Sequence, residues 1–213
     1  MTGDSPADWK LYAILDLGYV VQSDSLSVAL QLIAGGADVL QLRAKGYDIG
    51  VIRDLAKKIL PICRAAGVPF IINDYPQLAA EIGADGVHIG QDDGALSAAR
   101  KIIGPEKVIG RSTHSLLQAR VALEEGFDYI GFGPLFPTPT KLGRPSIGLA
   151  DVSTMQSEVG TKVPAFCIGG IKRANLPKVV AAGASRVVIV SDLLTAEDVE
   201  SATREAREML AQG

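Results

Sequence analysis

Cysteine, histidine and aromatic residues are scarce in this chain, and long apolar runs are missing. Two cysteines and two histidines in 213 residues are too few for a structural zinc site or a disulfide framework. Cys63 falls in a helix-like stretch and Cys167 in a strand-like one, so both read as reduced core thiols. Aromatic residues at 5% give too little ring area for a base-stacking surface. A net charge of -3 leaves no basic footprint, so nucleic acid is not expected as a partner. No apolar stretch approaches the ~20 residues of a membrane span. The segment from Met1 to Asp8 lacks the basic start and apolar centre of a signal peptide. The expected location is therefore the cytoplasm, with no membrane partner. A homo-oligomer is compatible with the sequence, which carries no signal for one. A Gly-x-Gly-x-x-Gly turn is also missing after the first apolar run, where Asp16-Leu17-Gly18-Tyr19 stands instead.

What is present is a rhythm. Gly-Ala-Asp at 36–38, Gly-Val-Pro at 67–69, Gly-Ala-Asp at 83–85, Gly-Phe-Asp at 126–128 and Gly-Ala-Ser at 183–185 each close a helical pattern and precede apolar residues. Glycine there supplies a left-handed cap before the chain enters a strand. Strand-like runs are predicted at 11–15, 39–42, 70–72, 86–89, 108–110, 129–132, 165–168 and 187–190. Helix-like runs are predicted at 26–34, 49–66, 77–81, 95–102, 116–125, 149–158, 175–182 and 197–210. The strands are short and continuously apolar, as parallel strands covered by helices are. Eight of each in alternation imply a single (β/α)8 TIM barrel over residues 1–213, with residues 1–9 as a flexible tail. An open doubly wound sheet is the competing arrangement, because periodicity does not report closure; the missing Gly-rich turn counts against it.

In such a barrel chemistry sits on the loops at the C-terminal ends of the strands, and polar residues collect there. The richest segment is Gly133 to Lys141, where Thr138, Thr140 and Lys141 follow a buried strand and Pro137 and Pro139 hold the loop open. Small donors beside a fixed positive charge suit a phosphorylated ligand. Arg43 and Lys45 after the second strand, with Lys141, can converge on a polyphosphate. Asp74 and Asp93 are hard oxygen donors suited to Mg2+, which usually takes one or two carboxylates plus substrate phosphates. Asn73 adds a neutral donor. Gly169-Gly170 and Val190-Ser191 open the seventh and eighth loops, a frequent phosphate site in this fold. Each has a plainer alternative: Asp74 and Asp93 as helix caps, Arg43 and Lys45 as solubility charges, Gly169-Gly170 as tight packing, His88 as a core or rim histidine. Ser112 and His114 resemble half of a nucleophile–base pair, but no carboxylate is placed to orient the histidine.

Together these residues make the chain resemble the thiamine phosphate synthase family. The matching stretches are Gln41 to Lys45, Ile72 to Asp74, Gly83 to Asp93, Gly110 to His114, Asp128 to Lys141, Ile168 to Ile171 and Val190-Ser191. The resemblance implies an enzyme joining 4-amino-2-methyl-5-(diphosphooxymethyl)pyrimidine to a thiazole ethyl phosphate, or its carboxylated form, with release of diphosphate. It implies a pyrimidine diphosphate site formed by Gln41, Leu42, Arg43, Ala44, Lys45, Asn73, Ser112 and Lys141. Of these, Arg43, Lys45, Ser112 and Lys141 would act in catalysis. Thr138, Pro139, Thr140, Gly170, Val190 and Ser191 would surround the thiazole phosphate, and Asp74 and Asp93 would carry Mg2+. The family usually has Glu where this chain has Ala44, a loss expected to loosen the two neighbouring cations. The competing readings are an isomerase resembling the thiazole tautomerase, suggested by His114, and a non-catalytic barrel that binds thiamine precursors.

Overall fold

The computed structural model describes residues 5–138 and 145–212. Eight parallel strands close in sequential order into a barrel: β1 (Leu11–Asp16), β2 (Val39–Arg43), β3 (Phe70–Asn73), β4 (Gly86–Ile89), β5 (Val108–Thr113), β6 (Tyr129–Phe132), β7 (Ala165–Cys167) and β8 (Val187–Ile189). The helices that follow the strands are α1 (Ser25–Ala34), α2 (Ile49–Ala66), α3 (Pro76–Ile82), α4 (Leu96–Ile103), α5 (Leu116–Glu125), α6 (Val152–Met155), α7 (Leu176–Ala181) and, both after β8, α8 (Ser191–Leu194) and α9 (Val199–Ala211). The sheet is closed, so the open doubly wound alternative is excluded. The predicted helix over 149–158 is shorter than expected. It begins at Val152 and passes into a π-helical turn, Gln156–Gly160. The four-residue α8 was not expected. No helix among the described residues is long and apolar enough to cross a membrane.

Local chemistry accounts for the helix ends. Asp48 caps α2 by accepting from the Gly50 amide at 2.7 Å, and Gly67 closes it in the left-handed region at φ 67°. Along α2 the buried positions Ile52, Leu55, Ala56, Ile59 and Cys63 recur at the spacing of one helical face and pack on the outside of the barrel.

The repeated Gly-x-Asp signature has a structural role. Asp38, Asp85 and Asp128 lie just before β2, β4 and β6. The backbone amide of each donates to the neighbouring odd-numbered strand, at Leu11, Phe70 and Ile109. Each carboxylate then accepts one or two amides at the start of that same strand. Asp38 takes Lys10 and Leu11 at 2.8 Å, Asp85 takes Phe70 at 2.9 Å and Asp128 takes Ile109 at 2.7 Å. Three strand pairs are thus clamped at the N-terminal face by an identical device.

Two apolar layers result. Residues pointing outward from the strands meet the helices, while Trp9, Tyr12, Ile14, Val39, Ile71, Tyr129, Phe166 and Val188 fill the lower interior. The rings of Tyr12 and Phe166 cross edge to face at 5.4 Å, and those of Trp9 and Tyr129 at 5.9 Å. The expectation of a flexible tail over residues 1–9 is corrected at its C-terminal half. Pro6–Asp8 form a 3-10 turn, Arg186 donates to the Ala7 carbonyl, and Trp9 is buried at 1% exposure. The reason is apolar: the barrel floor needs a large ring, and Trp9 is the one tryptophan in the chain.

The aspartate clamps predict stability effects without catalytic ones. Asp38→Ala leaves two strand amides without their acceptor and should cost about 2 kcal/mol or more. Asp38→Asn should cost less, and neither should change turnover. Urea unfolding midpoints with parallel rate assays check this; a turnover loss at unchanged stability would show the assignment to be wrong.

Candidate active site

The period of two along each strand decides what faces the barrel axis. Gln41 and Arg43 of β2 line a cleft at the C-terminal end of the barrel, together with Asn73, Ser112, Thr138, Gly170, Val190 and Ser191. Leu42 and Ala44 alternate with them and lie in the outer apolar layer against the helices. Their side chains therefore face away from the cleft, and a ligand contact by either falls to the backbone. Ser112 sits within β5, which runs on to Thr113, and not on the loop that the sequence suggested. Pro139, Thr140 and Lys141 lie outside the described residues. The cleft opens to solvent at its mouth.

Two cations at the end of β2 and just beyond it, Arg43 and Lys45, are each paired. Arg43 Nη1 lies 2.5 Å from Asp16 Oδ2, with both side chains largely removed from water at 13% and 2% exposure. Asp16 faces Arg43 in the β1–β2 register, which explains the contact. Lys45 Nζ lies 3.0 Å from Asp74 Oδ2. Arg43 and Lys45 thus find carboxylate partners in Asp16 and Asp74 without one at position 44. Asp16 and Asp74 orient the two cations, and Ala44 contributes packing. Asp16 was missed in the sequence, although its place at the C-terminal end of β1 is the signal by which the other site residues were found.

Asp74 and Asp93 meet. Their carboxyl groups are in hydrogen-bonding contact, and burial, assisted by Asp93 and opposed by Lys45, pushes the Asp74 carboxyl above the usual range. Asp74 is also the one non-glycine among the described residues with positive φ, at 66°. Asp93 Oδ2 accepts the Gly90 amide at 2.6 Å, and a Cβ on Gly90 would stand 2.7 Å from that oxygen, so a side chain there would push the carboxylate off its bond. The loop carrying Asp93 is tied to β5 by Arg111, which donates to the carbonyls of Gly90 and Gly94 at 2.8 Å. Gln91 completes the tie by donating to the Ser112 carbonyl at 2.6 Å.

Gly169 and Gly170 have φ of 94° and 65°. A Cβ on Gly169 would lie 2.3 Å from Pro134 Cβ, and one on Gly170 2.7 Å from Phe136 Cβ. They allow the loop after β6 to lie flat on the loop after β7, where Leu135 and Phe136 donate to the carbonyls of Ile168 and Gly169. The close packing foreseen for this pair is real, but it is loop on loop, and Gly170 lines the cleft as well. His114 Nδ1 donates to the Gly133 carbonyl at 2.6 Å. His88, read as a core or rim residue, lines the cleft and contacts both Tyr129 and Ser112.

A sequence model of the family described as thiamine monophosphate synthase matches residues 11–193. The chain belongs to that family. A thiamine-phosphate synthase of Thermus thermophilus is 48% identical over 178 residues, covering 84% of this chain and 85% of the relative. One from Chloroflexus aurantiacus is 38% identical over 205 residues, covering 96% and 94%. Among solved structures, thiamine phosphate pyrophosphorylase from Pyrococcus furiosus superposes with a TM-score of 0.87 at 30% identity, covering 97% of this chain and 98% of that one. The membership makes this chain an enzyme, a transferase of thiamine biosynthesis, and the tautomerase-like and non-catalytic readings give way to it.

The raised Asp74 carboxyl predicts a stability cost at the site. A carboxyl whose folded pKa lies above its unfolded value is destabilising once pH exceeds the folded value, and costs nothing below the unfolded value of about 3.9. Asp74→Asn should therefore unfold at higher denaturant than the parent at pH 7 without divalent cations. The pH-dependent part of that gain should vanish below about pH 4. Urea titrations across that range check the sign; a gain that grows on acidification would refute it.

Proposed function

We propose that the cleft condenses 4-amino-2-methyl-5-(diphosphooxymethyl)pyrimidine with a thiazole ethyl phosphate, giving thiamine phosphate and diphosphate. The observation that carries this reading is that a cleft whose wall holds Gln41, Arg43, Asn73 and Ser112 is flanked in sequence, just after β2 and β3, by Lys45 and by Asp74, which pair with each other, Asp74 meeting Asp93 as well. Cations beside hard oxygen donors suit a diphosphate, and neutral donors deeper in the cleft suit a heterocycle.

Mg2+ fits the residues present. Among the described residues no cluster of three or more His, Cys, Asp or Glu side chains could hold a metal ion by itself. Two carboxylates in contact, one of them strained toward protonation, are instead the donor set that Mg2+ shares with substrate phosphates and water. Asp74 and Asp93 would hold the ion, which when bound supplies charge neutralisation to the departing diphosphate.

The chain's own residues account for the remaining requirements. Arg43, fixed by Asp16, presents a preoriented fork to the diphosphate, and Lys45 adds a point charge. Lys141 is the third cation of this reading. Departure of diphosphate leaves a cation at the pyrimidine methylene, delocalised into the aminopyrimidine, and the thiazole nitrogen then forms the new C–N bond. The thiazole phosphate is read into the corner formed by Thr138, Gly170, Val190 and Ser191; Pro139 and Thr140 belong to the same reading, in which the thiazole nitrogen stands behind the breaking bond. No strong general base is required. The catalytic part of this reading rests on Arg43, Lys45, Ser112 and Lys141, the cofactor is Mg2+, and the setting is the cytoplasm.

Diphosphate release by the purified protein, with each substrate and Mg2+ omitted in turn, tests the proposal. Release should need all three and yield thiamine phosphate; release with either substrate absent would overturn it. Asp93→Asn should raise the Mg2+ concentration needed for half-maximal rate while leaving the unfolding midpoint near that of the parent. Lys141→Ala should slow turnover by roughly 10²-fold or more through loss of a charge contact made in the transition state.

A further inference from the structure

One chain of hydrogen bonds joins the aromatic floor of the barrel to the polar wall of the cleft. Gln41 Nε2 donates to Tyr12 Oη at 2.7 Å, and Tyr12 Oη lies 3.0 Å from Tyr129 Oη. Tyr129 Oη lies 3.2 Å from His88 Nδ1, and His88 Nε2 lies 2.9 Å from Ser112 Oγ. The geometry depends on one glycine. His88, Gly110 and Tyr129 stand side by side in the registers of β4, β5 and β6, and the middle residue has no side chain. A Cβ on Gly110 would lie 2.1 Å from Tyr129 Cζ, so glycine lets the phenol cross β5 and reach the histidine.

The direction of the chain follows from what each atom can do. Burial pushes both phenols well above the usual tyrosine range, so each keeps its proton and has to place it. An amide nitrogen only donates. Tyr12 therefore accepts from Gln41 and gives its own proton to Tyr129. Tyr129, accepting from Tyr12, gives its proton to His88 Nδ1, because a buried hydroxyl proton without an acceptor carries its full desolvation penalty. His88 then bears its ring proton on Nε2 and donates to Ser112 Oγ. The hydroxyl proton of Ser112 is not spent on the histidine.

We propose that His88 is a positioning residue, held in the Nε2–H form by Tyr12 and Tyr129 so that Ser112 acts as a hydrogen-bond donor toward the bound pyrimidine diphosphate. The proposal rests on the reading of Ser112 as a substrate contact. It also separates the His88–Ser112 pair from a nucleophile and its base: a ring nitrogen that already carries a proton does not take one from serine. No bond to Ser112 forms, and the histidine changes no charge during turnover.

The two histidines of this chain make the ring protons directly observable. Nitrogen NMR on full-length protein with isotope-labelled histidine should show one ring protonated at Nδ1. That signal should disappear in His114→Gln, because His114 Nδ1 donates to the Gly133 carbonyl. The remaining ring should be protonated at Nε2 and bare at Nδ1. A His88 protonated at Nδ1 would mean that the chain runs the other way, from Ser112 toward Gln41, and would overturn the proposal. Kinetics supply the second readout. Tyr129→Phe releases the ring from its tautomer and should lower kcat about tenfold, with a much smaller change in KM. His88→Gln can place an amide N–H where Nε2 stood and should retain more of kcat than His88→Leu. Equal losses in those two variants, both folded, would reduce His88 to a packing residue. Unchanged turnover in Ser112→Ala, with the Nε2–H ring still seen, would instead remove the substrate contact, so failure of the ring and failure of the functional reading are told apart.

Discussion

A closed eight-stranded barrel has to fill its own interior, and the way this chain does so decides where its chemistry can be. Alternate strand residues point inward, and near the N-terminal face they are Tyr12, Tyr129, Phe166 and the capping Trp9. Four rings would not fit if every strand contributed a side chain at that level, and Gly110 supplies the gap into which Tyr129 lies. One layer higher the inward residues become Gln41, Asn73, His88 and Ser112, and the filled core gives way to a cleft. The tyrosine hydroxyls lie at the boundary between the two layers. Their rings belong to the core and their oxygens to the polar wall, so packing below holds hydrogen-bond geometry above.

Charge at the rim is arranged in the same spirit. The Asp16–Arg43 pair is almost fully withdrawn from water, and such a pair gives little net stability because desolvation offsets the attraction. Its contribution is orientation: the guanidinium is fixed before any ligand arrives. Lys45 and the Asp74–Asp93 pair form a second, more exposed group, in which Asp74 adopts an unfavourable φ and a raised carboxyl. Strain of both kinds in one residue directly after β3 marks a position where stability is given up.

Stability and chemistry are correspondingly divided between the two ends of the barrel. The aspartate clamps of Asp38, Asp85 and Asp128 hold strand pairs at the N-terminal face, while Arg43, Lys45, Asp74 and Asp93 occupy the other. The same residue type accepts strand amides in the first set, while in the second Asp74 pairs with Lys45 and meets Asp93.

The alternation of eight apolar runs with eight helical patterns was enough to determine the strand–helix order, though not the closure of the sheet, because each Gly-x-Asp mark ends a helix and begins a strand through local backbone chemistry. The position of Arg43, Asn73 and Asp74 at strand ends was legible for the same reason, as was the kinship of the chain with thiamine monophosphate synthases. What the sequence did not determine depends on which distant residues share a level of the barrel. The pairing of Asp16 with Arg43, the burial of Trp9, the outward turn of Leu42 and Ala44, and the meeting of His88 with Tyr129 over Gly110 are all set by strand register and closure. Those are properties of the whole sheet, and no local pattern in the chain encodes them.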